Sequence, residues 1–318
     1  IKKSNLRTGE IMARAADILV KTLTEHGVDR AFCVPGESYL AVIDAMYDAP
    51  EIDVVTTRHE GGAGFMAVAD AKMTGKPGIV MVSRGPGATN ASIGVHVAQQ
   101  DAVPMVMFVG QVAREDIGRN AFQEVDYSQT FGDMAKWIVE ITEADKIAEN
   151  VRRAFTIAQS GIPGPVIVSL PEDMLLDQTD APALGPTKII QPKPDAGDIV
   201  ELCDMLSAAE RPVIIAGGQI GGERGREALR AVSESWNVPV AVSWRHQDLF
   251  DVDHPNYACH LAFNMPPVFK DTLNESDLII AIGTRLGDVV TQGYKLPEAP
   301  SPKQKLVHIY NDAKPIGN

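Results

Sequence analysis

Cysteine is scarce: Cys33, Cys203 and Cys259 lie far apart in 318 residues and show no metal-ligand spacing. That excludes a disulfide framework and gives no support to a cysteine-bound zinc. Each thiol sits in or beside apolar sequence, as a buried cysteine does, and the pattern is that of a reduced, cytoplasmic protein. Basic side chains are also outnumbered, 29 Lys and Arg against 42 Asp and Glu. A net charge of −13 argues against a nucleic-acid surface, which needs clustered cations to displace phosphate counterions. No apolar run approaches the ~20 residues of a membrane helix. Ile1-Lys2-Lys3-Ser4-Asn5 leads into polar sequence without a signal-peptide core. The seven histidines include no His-x-x-x-His or His-Glu-x-x-His arrangement, so no metal-ligand set is expected. No Gly-x-Ser-x-Gly elbow supports a hydrolase of that type.

What remains is a globular composition, 45% hydrophobic and 22% charged, in a chain long enough for two domains. Short apolar runs alternate with helical patterns. Strands are expected over 30–34, 53–57, 78–83, 105–109 and 166–170, with helices over 9–26, 40–47, 62–74, 88–99 and 147–160. This alternation predicts a doubly wound α/β fold, a parallel sheet covered on both faces. Residues 177–197, with Pro182, Pro186, Pro192 and Pro194, have the composition of a linker. A second, smaller Rossmann-like α/β alternation follows, with helices over 198–208 and 223–236 and strands over 212–216, 239–242, 278–282 and 305–310. The expected domains are therefore 1–176 and 198–318.

Three segments could carry chemistry. Glu60 follows an apolar run and precedes Gly61-Gly62, where a helix begins and a ligand could approach closely. An acid stabilising a helix N-terminus explains the same pattern, and the local sequence alone favours that role. Arg84-Gly85-Pro86-Gly87-Ala88-Thr89-Asn90 joins a strand to a helix. It could hold an anion on backbone N–H groups, or be a tight Gly/Pro turn; it lacks the Gly-Lys-Ser/Thr ending of a nucleotide loop. Gly217-Gly218-Gln219-Ile220-Gly221-Gly222 opens another helix but fits Gly-x-Gly-x-x-Gly in no register.

Taken together, Val34-Pro35-Gly36-Glu37, Arg58-His59-Glu60, Gly85 through Asn90, Gly110-Gln111-Val112, Ala121-Phe122-Gln123-Glu124 and Pro163-Gly164-Pro165-Val166 resemble thiamine-diphosphate enzymes of the acetolactate synthase group. Order and spacing match over residues 10–175, the pyrimidine-binding domain, and residues 198–318 are similar to the central domain. The resemblance implies that Glu60 hydrogen-bonds the aminopyrimidine ring and favours the imino tautomer, which deprotonates the thiazolium carbon. A 2-keto acid then loses carbon dioxide, and what remains condenses with a second carbonyl. It further implies that Pro35 and Gly36 contact the pyrimidine, that Asn90 lines the same pocket, and that Phe122 and Gln123 reach the substrate side of a partner subunit's site. A homodimer or homotetramer follows, because such sites form between subunits.

The departures are as informative. Mg²⁺ and the diphosphate belong to a C-terminal domain bearing Gly-Asp-Gly, which occurs nowhere in this sequence. A truncated or proteolysed product with an incomplete cofactor site is expected. Ile162 stands where the group has a flavin-contacting arginine, and Tyr257-Ala258-Cys259-His260-Leu261-Ala262 replaces a Gly- and Met-rich flavin loop; both argue against FAD. Arg285 and Asp288 keep the group's pattern, while Arg84 replaces a serine. The reading is therefore thiamine-diphosphate-dependent 2-keto acid decarboxylation or carboligation. Its alternatives are a related lyase without ligation, a non-catalytic module on the same fold, and a nicotinamide oxidoreductase using Gly217–Gly222.

Overall fold

A computed structural model describes residues 12–316, and the chain divides into two compact units between Ile190 and Gln191. The first unit runs β1 (Ala13–Arg14), α1 (Ala15–Glu25), β2 (Arg30–Cys33), α2 (Leu40–Tyr47), β3 (Asp53–Thr56), α3 (Glu60–Thr74), β4 (Gly78–Val82) and α4 (Gly85–Gln100). It continues with β5 (Met105–Gln111), α5 (Tyr127–Phe131), β6 (Trp137–Glu140), α6 (Ile147–Gln159), β7 (Pro165–Pro171) and β8 (Gln178–Thr179). Six strands form a wholly parallel sheet in the order β3-β2-β4-β5-β7-β6.

The strands read as continuous apolar runs because both faces are covered. Ile79, Met81, Val106, Phe108, Val166 and Val168 point to one face, under α1, α2 and α6. Their neighbours Val80, Val82, Met105, Met107 and Ile167 point to the other, under α3 and α4. Each fully buried side chain of this size contributes ~1.5–3 kcal/mol relative to exposure, so a two-sided sheet stabilises itself along every residue of a strand.

Several boundaries differ from the sequence expectation. The first helix begins at Ala15, because the Asp17 carboxylate accepts from the Arg14 backbone N–H at 3.1 Å and caps it there. Ala13 and Arg14 instead pair antiparallel with β8, inside the expected linker; residues 9–11 of the expected helix lie outside the described residues. Helix α3 starts at Glu60 rather than Gly62, since the His59 ring caps it by accepting from Gly61 N at 3.0 Å. Helix α4 starts at Gly85, with Pro86 preset for the first turn.

The second unit runs α7 (Ala196–Ala208), β9 (Pro212–Ala216), α8 (Gly222–Trp236), β10 (Val240–Ser243), β11 (Tyr257–Leu261), α9 (Pro267–Glu275), β12 (Leu278–Ile282) and β13 (Lys305–Ile309). Its five parallel strands are ordered β11-β10-β9-β12-β13. Apolar clusters again cover both faces. The α/β, doubly wound class read from the sequence holds for both units.

Candidate functional site

In an open α/β sheet, ligands sit beyond the carboxyl ends of the strands where the winding direction reverses. In the first unit the chain goes from β2 out to β3 and then returns across β2 to β4. The reversal therefore lies between β2 and β4, and the segments after Cys33 and Val82 face each other there.

Gly36 and Ser83 make that contact. A Cβ on Gly36 would lie 2.6 Å from the Ser83 Cβ, so only glycine lets the two backbones meet. Ser38 Oγ lies 2.9 Å from Ser83 Oγ and binds the same junction. Tyr39 packs beneath Gly36, 3.5 Å from where its Cβ would be. Its hydroxyl donates to the Val34 carbonyl at 2.5 Å. Burial, then the neighbouring Cys33 and the Glu60 charge, push the phenol well above its usual range, so Tyr39 stays a neutral donor that fixes the Pro35-Gly36 turn.

Glu60 enters from the start of α3. Asn90 Nδ2 donates to Glu60 Oε2 at 3.0 Å. Glu60 Oε1 lies 3.6 Å from the place a Gly87 Cβ would take, and the same point is 3.6 Å from Ser83 Cβ. Gly36, Ser83, Gly87, Glu60 and Asn90 thus form one continuous surface. The glutamate meets the asparagine because α3 and α4 cross at glycines. A Cβ on Gly64 would lie 3.0 Å from Gly94 Cα, and one on Gly94 only 2.6 Å from Gly64 Cα. Glu60 is one turn before Gly64 and Asn90 one turn before Gly94, so residues on matching faces of the two helices come together.

The other expected residues approach from the far side of the β4–α4 junction. Gly85 N donates to the Gln123 carbonyl at 3.0 Å, and Arg84 Nη1 reaches the Phe122 carbonyl at 3.4 Å. Gln123 has a left-handed φ of 65°, and the Phe122 ring is 75% exposed. Among the described residues, neither side chain hydrogen-bonds Glu60 or Asn90. Pro35 is exposed beside Gly36. Sequence reasoning missed Ser38, Tyr39, Ser83 and the Gly64–Gly94 crossing; the only signal was a glycine four residues after each of Glu60 and Asn90 within helical sequence.

The arrangement offers one carboxylate with an oxygen held by an amide and the other facing a surface stripped of side chains by Gly36 and Gly87. It can accept a hydrogen bond from a flat N–H-bearing ring. That suits an aminopyrimidine, whereas a metal has little to bind. Among the described residues no group of three or more His, Cys, Asp or Glu converges.

The glycines at 217–222 have a packing explanation. A Cβ on Gly217 would lie 2.5 Å from the Gly283 carbonyl oxygen, and one on Gly218 2.3 Å from the His246 ring. Both positions are filled by neighbouring segments of the second unit.

Comparison with known proteins gives the family. Residues 13–130 match the thiamine pyrophosphate enzyme N-terminal TPP binding domain, and residues 199–318 match the central domain of the same enzymes. The chain is 34% identical over 310 residues to an acetolactate synthase of Mycobacterium bovis, covering 95% of this chain and 49% of that protein. It is 33% identical over 286 residues to the acetolactate synthase isozyme 3 large subunit of Escherichia coli, covering 88% and 50%. A mitochondrial acetolactate synthase catalytic subunit of Saccharomyces cerevisiae is 32% identical over 301 residues, covering 90% and 44%. The chain spans about half the length of the curated relatives it matches. With two of that family's domains matched in order and its relatives aligned across both, the chain belongs to the thiamine pyrophosphate enzymes.

Proposed function

We propose that this chain supplies the pyrimidine side of a thiamine-diphosphate site in an acetolactate synthase-like enzyme that decarboxylates a 2-keto acid and transfers the remaining acyl unit. The observation that carries this is the Glu60–Asn90 pair, held at 3.0 Å at the winding reversal of a sheet from this family. When bound, thiamine diphosphate supplies the electron sink for decarboxylation. Glu60 would accept an N–H hydrogen bond from the ring through Oε1 and hold the proton there. Asn90 would orient the carboxylate, and Pro35 and Gly36 would form the ring's contact surface. Phe122 and Gln123 would border the substrate. Mg²⁺ and the diphosphate would be held by groups outside the described residues, and no flavin is required in this reading, since Ile162 occupies the position of the flavin arginine.

A homodimer or homotetramer belongs to the same proposal. Phe65, Met66 and Met73 on α3 and Ile93 on α4 are exposed apolar side chains on the two helices that carry the pair, and burying such a patch favours self-association. A cytoplasmic location is supported by three unpaired cysteines. Among the described residues, no helix is long and apolar enough to cross a membrane.

The test is Glu60→Gln in the complete protein that carries this sequence, assayed for carbon dioxide release from 2-keto acids. Turnover should fall by about a hundredfold or more, the low end of the ~10²–10⁴-fold that a positioned acid or base contributes. Unchanged turnover would show that Glu60 does not drive the chemistry and would sink the assignment. Release without acyl transfer would identify a lyase instead.

A further inference from the structure

Arg84 is a costly residue for its position. It caps the N-terminus of α4, where the helix dipole disfavours a cation by ~0.3–1 kcal/mol, and it is only 9% exposed. A buried guanidinium persists where its partners are fixed. Its Nη2 meets Glu172 Oε2 at 2.7 Å and Glu37 Oε1 at 3.5 Å, while Nη1 donates to the Phe122 carbonyl at 3.4 Å. Glu172 is itself anchored to the sheet, its N–H donating to the Gln111 carbonyl at 3.2 Å. Glu37 directly follows the Pro35-Gly36 turn. One planar fork thus joins the end of β7, the turn after β2 and the loop bearing Phe122; a lysine has no such fork.

The two ends of the loop it holds are fixed by Arg114 to Asp173 at 2.7 Å and by Gln111 Nε2 to the Val125 carbonyl at 3.0 Å, and its middle bonds mainly to itself. Glu124 folds back to accept from Gly118 N and from Ala121 N at 3.0 Å. Two consecutive carbonyls, Phe122 to Arg84 and Gln123 to Gly85, tie this loop to the β4–α4 junction. Without Arg84, the Phe122 carbonyl loses this bond, while the Gln123 and Val125 carbonyls still tie the loop to Gly85 and Gln111.

We propose that Arg84 is a positioning residue, which sets the reach of Phe122 and Gln123 and couples them to the Glu37 turn. Through them it fixes the substrate end of the site. The proposal rests on the functional reading above for the words "substrate end", but not for the tether itself. The tether is tested by amide hydrogen exchange without substrate in the full chain. Arg84→Met should speed exchange at Gly85, Ala121 and Glu124 by roughly tenfold or more, with β4 and β5 protected as before. Arg84→Lys should be intermediate. Glu172→Gln, which weakens the same tie from a half-exposed side chain, should open the same amides and serves where Arg84→Met does not fold.

In the complete protein, Arg84→Met should raise the KM for the 2-keto acid at least about fivefold with kcat changed less than about twofold, the split expected when binding rather than the chemical step is lost. Arg84→Lys should recover part of that loss. Unchanged exchange in both Arg84→Met and Glu172→Gln overturns the tether. A fall in kcat at constant KM overturns the substrate-end role. The functional reading fails separately: if Glu60→Gln leaves turnover intact while the loop opens in the Arg84 variants, the tether stands and the assigned chemistry does not.

Discussion

Gly94→Ala is the sharpest perturbation of the site's scaffold, because the sign of its effect separates two accounts. On an ordinary helix surface the change should stabilise, since alanine exceeds glycine by ~1 kcal/mol in a helix interior. Here the added Cβ would lie 2.6 Å from Gly64 Cα and 2.8 Å from Gly64 C. Carbon atoms rest at ~3.5 Å or more, so α3 and α4 would have to separate by about 0.9 Å. Both clashing atoms are backbone and cannot rotate aside. The upper end of the ~1–3 kcal/mol range for overpacking therefore applies, about 3 lost against about 1 gained, for a net loss of roughly 2 kcal/mol. Urea unfolding followed by exchange of the buried β4 and β5 amides reads the first unit by itself. Gly62→Ala is the control: it lies in the facing helix α3 with open space around it and should gain ~0.5–1 kcal/mol. If Gly94→Ala is as stable as the parent or more so, the crossing is not tight, and the account of how Asn90 reaches Glu60 is wrong.

Tyr39→Phe removes the donor to the Val34 carbonyl and should cost ~1–3 kcal/mol for the acceptor left unpaired, read as a lower urea midpoint for the first unit. Asn90→Ala should lower turnover less than Glu60→Gln does, because it frees the carboxylate without removing it; steady-state rates of the two variants in the complete protein decide this. His26 gives a pH prediction. Burial lowers its pKa. Its Nδ1 lies 2.8 Å from the Thr22 carbonyl, so Nδ1 carries the proton and the buried Nε2 is bare. The folded pKa lies below the unfolded value of ~6.5, so the unfolded chain binds the extra proton first. Stability should be full above that value and fall as pH drops through it. Urea midpoints between neutral and mildly acid pH should show this slope, and His26→Gln should flatten it.

Much of the fold was legible because buried parallel strands announce themselves as apolar runs, and the nine strands read from sequence stand where apolar runs predict them or within a residue or two. The elements that escaped lack that signature. Strand β6 is an edge strand whose Trp137-Ile138-Val139-Glu140 is never fully buried. Strand β11 mixes Tyr257 and His260 into its run, and α9 has a single fully buried residue, Leu273. The start of α3 was misplaced because a histidine, not Ser or Asp, caps it. In the site, Glu60 stood out locally, but its partner is 30 residues away, and Arg84 meets Glu172 88 residues on. Such pairs depend on helix crossing and sheet order, which no local pattern encodes; family resemblance pointed to Asn90 but not to Glu172.

The central proposal is that Glu60, by accepting the ring N–H, would assist proton loss from the thiazolium carbon when thiamine diphosphate is bound. It is tested most directly by the rate at which that carbon exchanges its proton for deuterium in the complete protein, stopped by acid and read by NMR. Glu60→Gln should slow the exchange by about a hundredfold or more while leaving the cofactor bound, the scale of general acid–base assistance. Exchange at the parent rate in a cofactor-saturated Glu60→Gln protein would contradict the account.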